Sequence, residues 1–230
     1  MRVFTSWPVH PLYDTYYHIY NRGINRENIF IEERNYAHFL NLYAKYIEPI
    51  AATFAYCLLK NHFHLSVRIK SEEETLKVFT DDMKRKRYRG SVQSGVYPEK
   101  KPLGSDQDRI RYPSKKFSDF FNAYAKAINT AYGRTGSLFQ HPFGRVMISS
   151  DIQFSRVIAY IHQNPQKHGF VADFRDWKYS SYCVMLSSKH TPLKRDVVLD
   201  WFGGKEQYLT LHREWVTDAQ SSAFAGDDDD

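Results

Sequence analysis

His62 and His64 stand one residue apart within the apolar run YCLLKNHFHLSVRIK, residues 56–70. Residues i and i+2 of a β-strand point to the same face, so the two imidazoles would stand side by side and could share one divalent cation. The same spacing also suits a pair of ordinary half-buried sheet histidines, because two ligands do not make a site. A third ligand and a reacting group must come from elsewhere. The segment AYIHQNP, residues 159–165, offers both. On a helix Tyr160 and Asn164 are four residues apart and share a face. An amide oxygen from Asn164, or from the less well placed Gln163, would complete a His, His, amide set around a hard or borderline cation, leaving positions for substrate oxygens. Tyr160 would then lie within reach of that substrate. A phenol with a pKa of about 10 suits phosphoryl transfer, since its phenolate is both a competent attacker and a tolerable leaving group.

The elements that must position these groups follow from periodicity. YDTYYHIYNR, residues 13–22, reads as a first strand that stops at Gly23. A helix follows within residues 28–46, with Phe39/Tyr43 and Leu42/Tyr46 at i, i+4 and Pro49 beyond its end. Residues 51–60 and 62–70 form an antiparallel hairpin about Lys60-Asn61, with the histidines at the start of its second strand. In SDFFNAYAKAINTAY, residues 118–132, the aromatic and aliphatic positions share one helical face, with Ser118 as cap. Residues 136–148 read as strand, break, strand. A last core helix runs from Ile152, capped by Ser150 or Asp151, to about Asn164, where Pro165 ends it. The result is an α+β fold, helices covering one antiparallel sheet.

Composition bounds the function. The 230 residues are 42% hydrophobic and 16% aromatic, and no apolar run is long enough for a membrane span. Cys57 and Cys183 are far apart and form no CxxC pair, which argues against a disulfide framework or zinc-thiolate site and fits a reducing cytosol. The N-terminus lacks the pattern of a secretory signal, so a cytoplasmic, nucleoid-associated protein is expected. Net charge is +6, and residues 81–116 alone hold eleven Lys or Arg against five acids. With Tyr88, Tyr97 and Tyr112 interleaved, that segment suits a polyanion whose bases stack on rings, or else a solvated loop. Arg85, Lys86, Arg87 and Arg145 are the candidate DNA contacts, and Lys167 is a further phosphate candidate. His162 and His168 fit surface or capping roles more readily than proton transfer, while Trp177, Lys178 and Tyr179 could stack or simply pack. Residues 71–115 are expected to leave the core as an excursion, poorly ordered without ligand. A C-terminal extension, residues 186–230, ends in an acidic tail expected to be disordered.

These residues carry a resemblance. HFH at 62–64 resembles the His-hydrophobe-His motif of the HUH endonuclease superfamily, and YIHQNP at 160–165 resembles the tyrosine helix of its single-tyrosine transposases, most of all the REP-associated branch. YHIYNRG (17–23), GSLFQHPFGR (136–145) and HQNPQKHGFVADFRDWKYSSY (162–182) extend the likeness over residues 10–185. The resemblance implies a ferredoxin-like sheet, a divalent cation (Mg²⁺ or Mn²⁺) held by His62, His64 and Asn164, and Tyr160 as nucleophile. It further implies cleavage of single-stranded DNA beside a hairpin, a 5′-phosphotyrosine intermediate, and a monomer or homodimer. Many insertion-sequence relatives carry Gln as third ligand; Asn four residues after Tyr160 fits the REP-associated branch, and Gln163 stays the alternative. From a different class, a non-catalytic protein with an RNA-recognition-like sheet would also use aromatics and a basic loop. A zinc hydrolase lacks its HExxH signal.

Overall fold

The computed structural model describes residues 11–94 and 104–214. Four strands, β1 (Tyr16–Arg22), β2 (Ala51–Leu58), β3 (His62–Ile69) and β4 (Gly144–Ile148), form one antiparallel sheet in the order β2-β3-β1-β4. With α1 (Glu33–Tyr46) between β1 and β2 and further helices between β3 and β4, this is the ferredoxin-like arrangement expected.

The two faces of the sheet are set by alternation. Tyr17 and Ile19 of β1 and Phe63, Leu65, Val67 and Ile69 of β3 point to one face, where they join one buried cluster. That face is covered by α1 and by α3 (Asp106–Ala131), whose Phe39, Tyr43, Phe120 and Tyr124 are all buried. The Phe39 ring centroid lies 5.1 Å from Phe63 and 4.8 Å from Phe120, so one side chain ties sheet to both helices. Burying such a ring contributes about 2–3 kcal/mol, which outweighs the modest β or helix propensity of any one residue.

The opposite face carries the alternate residues, including His18, His62, His64 and Ser66, all buried. It is covered by α4 (Asp151–Lys167), capped by Ser150, whose Oγ accepts from the Gln153 N–H at 3.2 Å. Three short helices after α4 complete this layer. From α5 (Tyr182–Leu186), α6 (Arg195–Trp201) and α7 (Lys205–Glu214), the side chains of Tyr182, Val198 and Tyr208 share a buried cluster with Phe154, Ile158 and Tyr160 of α4.

Several expectations need correction. Most of the basic excursion is regular structure: α2 (Glu72–Ser94) and the first turns of α3 occupy it, although residues 95–103 lie outside the described part. Helix α3 starts at Asp106, capped by Ser105, rather than at Ser118, whose hydroxyl instead donates to the Ser114 carbonyl within the helix. Pro113 lies inside α3 and is buried. Proline removes the N–H that would bond the carbonyl four residues earlier, and here the Tyr13 hydroxyl donates to that Arg109 carbonyl at 2.9 Å. Pro165 likewise sits inside α4 rather than ending it, in a final turn where the hydrogen-bond ladder is already running out. In residues 136–148 only β4 is a strand; Phe139 contributes an isolated bridge to Gly23. The acidic tail lies outside the described residues. No described helix is long and apolar enough to cross a membrane.

Candidate active site

The site forms between β3, β1 and α4. Strand alternation turns Phe63 into the α1/α3 core and leaves His62 and His64 on the α4 face, with ring centroids 5.1 Å apart. Helix α4 lies across them with its own matching step. Tyr160 meets His64, centroids 5.6 Å apart and edge-on, while Asn164 Oδ1 lies 3.4 Å from His62 Nε2. Four residues of helix rise about 6 Å and two residues of strand about 6.7 Å, so the i, i+4 pair on α4 and the i, i+2 pair on β3 fall into register.

Burial sets the electrostatics. His62 is held down to about 3, chiefly by desolvation, with the nearby His168 and Arg22 adding to the effect and its contact with Asn164 opposing it. His64 is pushed well below its ordinary value by the same burial and by the neighbouring imidazoles. At neutral pH both are uncharged, the form in which imidazole binds a metal.

The donor set fits a cation. The Asn164 Nδ2 group donates to the Tyr160 carbonyl at 3.3 Å, which turns Oδ1 towards His62. On its other side His62 places Nδ1 2.7 Å from Asn61 Oδ1, an acceptor, so a neutral His62 keeps its proton on Nδ1. Nε2 of His62 and Oδ1 of Asn164 then face each other lone pair to lone pair. That is a poor hydrogen bond and a suitable pair of ligands, since neighbouring donors of an octahedral Mg²⁺ at about 2.1 Å stand about 3 Å apart. Among the described residues no group of three or more His, Cys, Asp or Glu is arranged to hold a metal, so the candidate set depends on its amide.

Gln163, the alternative ligand, goes elsewhere: its Nε2 donates to the His212 carbonyl of α7 at 2.8 Å. His162 also turns away from the site, with Nε2 2.8 Å from Ser181 Oγ and Nδ1 2.9 Å from His212 Nε2. Arg145 is not brought to the histidines. On β4 it stands opposite Ile19 of β1 and therefore points to the α1/α3 face. Arg85 and Lys86 lie on α2, whose Phe79 packs into that same opposite layer. Trp177 and Tyr179 are packing residues: Trp177 Nε1 donates to the Leu58 carbonyl at 2.9 Å and Tyr179 stacks on Tyr36 at 3.5 Å. Lys178 pairs with Glu33 at the surface.

Three more residues border the site. His18 of β1, which sequence reasoning missed, lies with Nε2 3.0 Å from His64 Nδ1. His168, the C-cap of α4 in line with the capping role expected of it, also sets its ring 4.9 Å from that of His62. Lys167 holds its ammonium 5.2 Å from the centre of the Tyr160 ring. The signal for His168 and Lys167 was their place one turn beyond Asn164. His18 left no such signal, because its partner is met only across the β1–β3 register.

One curated relative agrees with the sequence resemblance. No family model matches the chain. It is 23% identical over 155 residues to a Haemophilus influenzae protein described as "Putative REP-associated tyrosine transposase", a match covering 66% of each chain. Among solved structures it is similar to a REP-associated tyrosine transposase bound to a REP hairpin, with TM-score 0.47 and 15% identity, over 80% of this chain and 87% of that one.

Proposed function

We propose that this protein is a metal-dependent single-stranded DNA endonuclease and strand transferase, a transposase or a domesticated descendant of one, with Tyr160 as nucleophile. The observation that carries the reading is the convergence of Tyr160, His62, His64 and Asn164 from a helix and a strand separated by about a hundred residues. The sequence likeness to a REP-associated tyrosine transposase supports the same class.

In this reading His62 Nε2, His64 and Asn164 Oδ1 would hold Mg²⁺ or Mn²⁺. When bound, the cation would polarise a non-bridging phosphate oxygen and offset charge in the transition state. The Tyr160 phenol loses its proton and its oxygen attacks the phosphorus of a phosphodiester. The bond from phosphorus to the 3′ oxygen breaks, that oxygen leaves and takes up a proton, and the 5′ phosphate stays on Tyr160. A returning 3′-OH reverses the exchange and rejoins or transfers the strand. Tyr160 is 4% exposed, so its ring is held in place by packing before a strand enters. Lys167 holds its ammonium 5.2 Å from the centre of the ring, where it would attract the incoming phosphate. Arg85, Lys86 and Arg87 on α2 bind the backbone of the strand or of an adjoining hairpin.

The test is incubation with Mn²⁺ and a hairpin-bearing single strand. Cleavage should leave a 3′-OH that a polymerase can extend and a 5′ end that migrates with protein. A product with a free 5′ phosphate, or equal cleavage in chelator, would contradict the reading.

A further inference from the structure

We propose that His18 is a positioning residue that fixes the tautomer of His64, so that His64 Nε2 presents its lone pair to the cation. The inference rests on the metal-dependent reading above and assigns a role to a residue outside the HFH and YIHQNP segments.

The geometry is specific. His18 and His64 are both fully buried, their rings are stacked with centroids 5.2 Å apart, and His18 Nε2 stands 3.0 Å from His64 Nδ1. Two neutral imidazoles at that distance share a single proton, and two arrangements are open. If His18 donates, His64 must keep its own proton on Nε2, where it blocks a metal. If His64 donates from Nδ1, its Nε2 is a ligand, and the His18 proton lies on Nδ1.

That second arrangement carries a cost at His18, because its proton then sits on a nitrogen with nothing to donate to. Among the described residues His18 Nδ1 is buried without a hydrogen-bond partner. A buried polar group left in that state is destabilising, and an apolar side chain would fill the same strand position without the penalty. The cost is understandable if the acceptor at Nε2 is what the position supplies. A second ring nitrogen held by an orienting partner is the usual way a ligating histidine is aimed, and loss of such a partner typically costs about 10–100-fold in metal affinity. Tyr160 packs against the same pair, its ring centroid 5.9 Å from His18 and 5.6 Å from His64, so the aim of His64 and the placement of the phenol are set together.

The experiment compares wild type, His18→Leu and His18→Gln as full chains without DNA. Mn²⁺ affinity is read by electron paramagnetic resonance, the His64 tautomer by ¹⁵N imidazole shifts, and folding by metal-free melting temperature. Leucine should weaken Mn²⁺ binding about 10–100-fold and mix the His64 tautomers while leaving the metal-free protein folded. Glutamine, whose side-chain oxygen can accept from His64 Nδ1, should restore affinity to within a few-fold. Wild-type Mn²⁺ affinity in His18→Leu, or no recovery in a folded His18→Gln, overturns the inference. A wild-type protein that binds no Mn²⁺ overturns the metal-dependent reading itself and this role with it.

Discussion

Asn164 Oδ1 lies 3.4 Å from His62 Nε2 although 102 positions separate the two residues in the chain. The two meet only because α4 crosses β3 with its four-residue repeat aligned to the two-residue repeat of the strand. This crossing brings an amide acceptor against an imidazole lone pair, an arrangement that a cation between them would resolve. From it follows a separation of roles along α4, with Asn164 facing the histidines and Gln163 facing α7.

Asn164→Leu and Gln163→Leu should therefore fail differently. The first is expected to remove measurable Mn²⁺ binding with little change in stability. The second leaves the buried His212 carbonyl without its donor and should lower stability by about 1–3 kcal/mol, while Mn²⁺ affinity stays within a few-fold of wild type. Denaturant titration and Mn²⁺ binding on both variants check the assignment, and reversed phenotypes would make Gln163 the ligand.

Binding and cutting should separate in His64→Ala. Affinity for single-stranded DNA is set mainly by Lys and Arg side chains at phosphates, so it should be largely retained while cleavage is lost. Equal loss of both would favour a non-catalytic binding module.

Charge reversal at Arg85, Lys86 and Arg87 should flatten the dependence of log affinity on log salt, by about 0.7 for each phosphate of a single strand that is no longer neutralised. An unchanged slope would remove α2 from the DNA footprint.

Stability should fall on acidification through the packing of α4 on α7. Burial holds His212 down to about 4 against an ordinary value of 6.5, with its hydrogen bond to the Tyr208 carbonyl opposing the shift. Below pH 6.5 the unfolded chain takes up a proton that the folded chain refuses until about pH 4. Stability is thus complete above 6.5 and declines across that window, by about 2 kcal/mol at pH 5 from this residue. Denaturant melts of wild type and His212→Gln at pH 7 and pH 5 test it, with a smaller pH difference expected in the variant. Identical differences would place the acid sensitivity elsewhere.

The β2–β3 hairpin with its two histidines on one face and the shared face of Tyr160 and Asn164 on α4 were legible because each rests on a short-range period, two for the strand and 3.6 for the helix, while the sheet that brings them together was implied by the family resemblance. The start of α3 was not, because Pro113 reads as a break unless Tyr13, a hundred positions away, is known to satisfy the Arg109 carbonyl. His18 escaped for a similar reason. Within YYHIYNR it is one more strand residue, and only the pairing of Tyr20 with His64 and of His18 with Ser66 sets its ring diagonally against His64. For Arg145 the motif makes it a candidate DNA contact, while the face it occupies, away from the histidines, is set by its strand register with Ile19.

Whether one phenol, Tyr160, becomes joined to DNA is the point on which the proposed chemistry turns. Protein incubated with Mn²⁺ and a hairpin-bearing single strand should be digested and its DNA-linked peptide identified by mass spectrometry, in parallel with Tyr160→Phe. A single nucleotide-bearing peptide spanning Tyr160 is expected, with no adduct in the variant. An adduct mapped to another residue, or one that persists undiminished in Tyr160→Phe, would contradict the assignment.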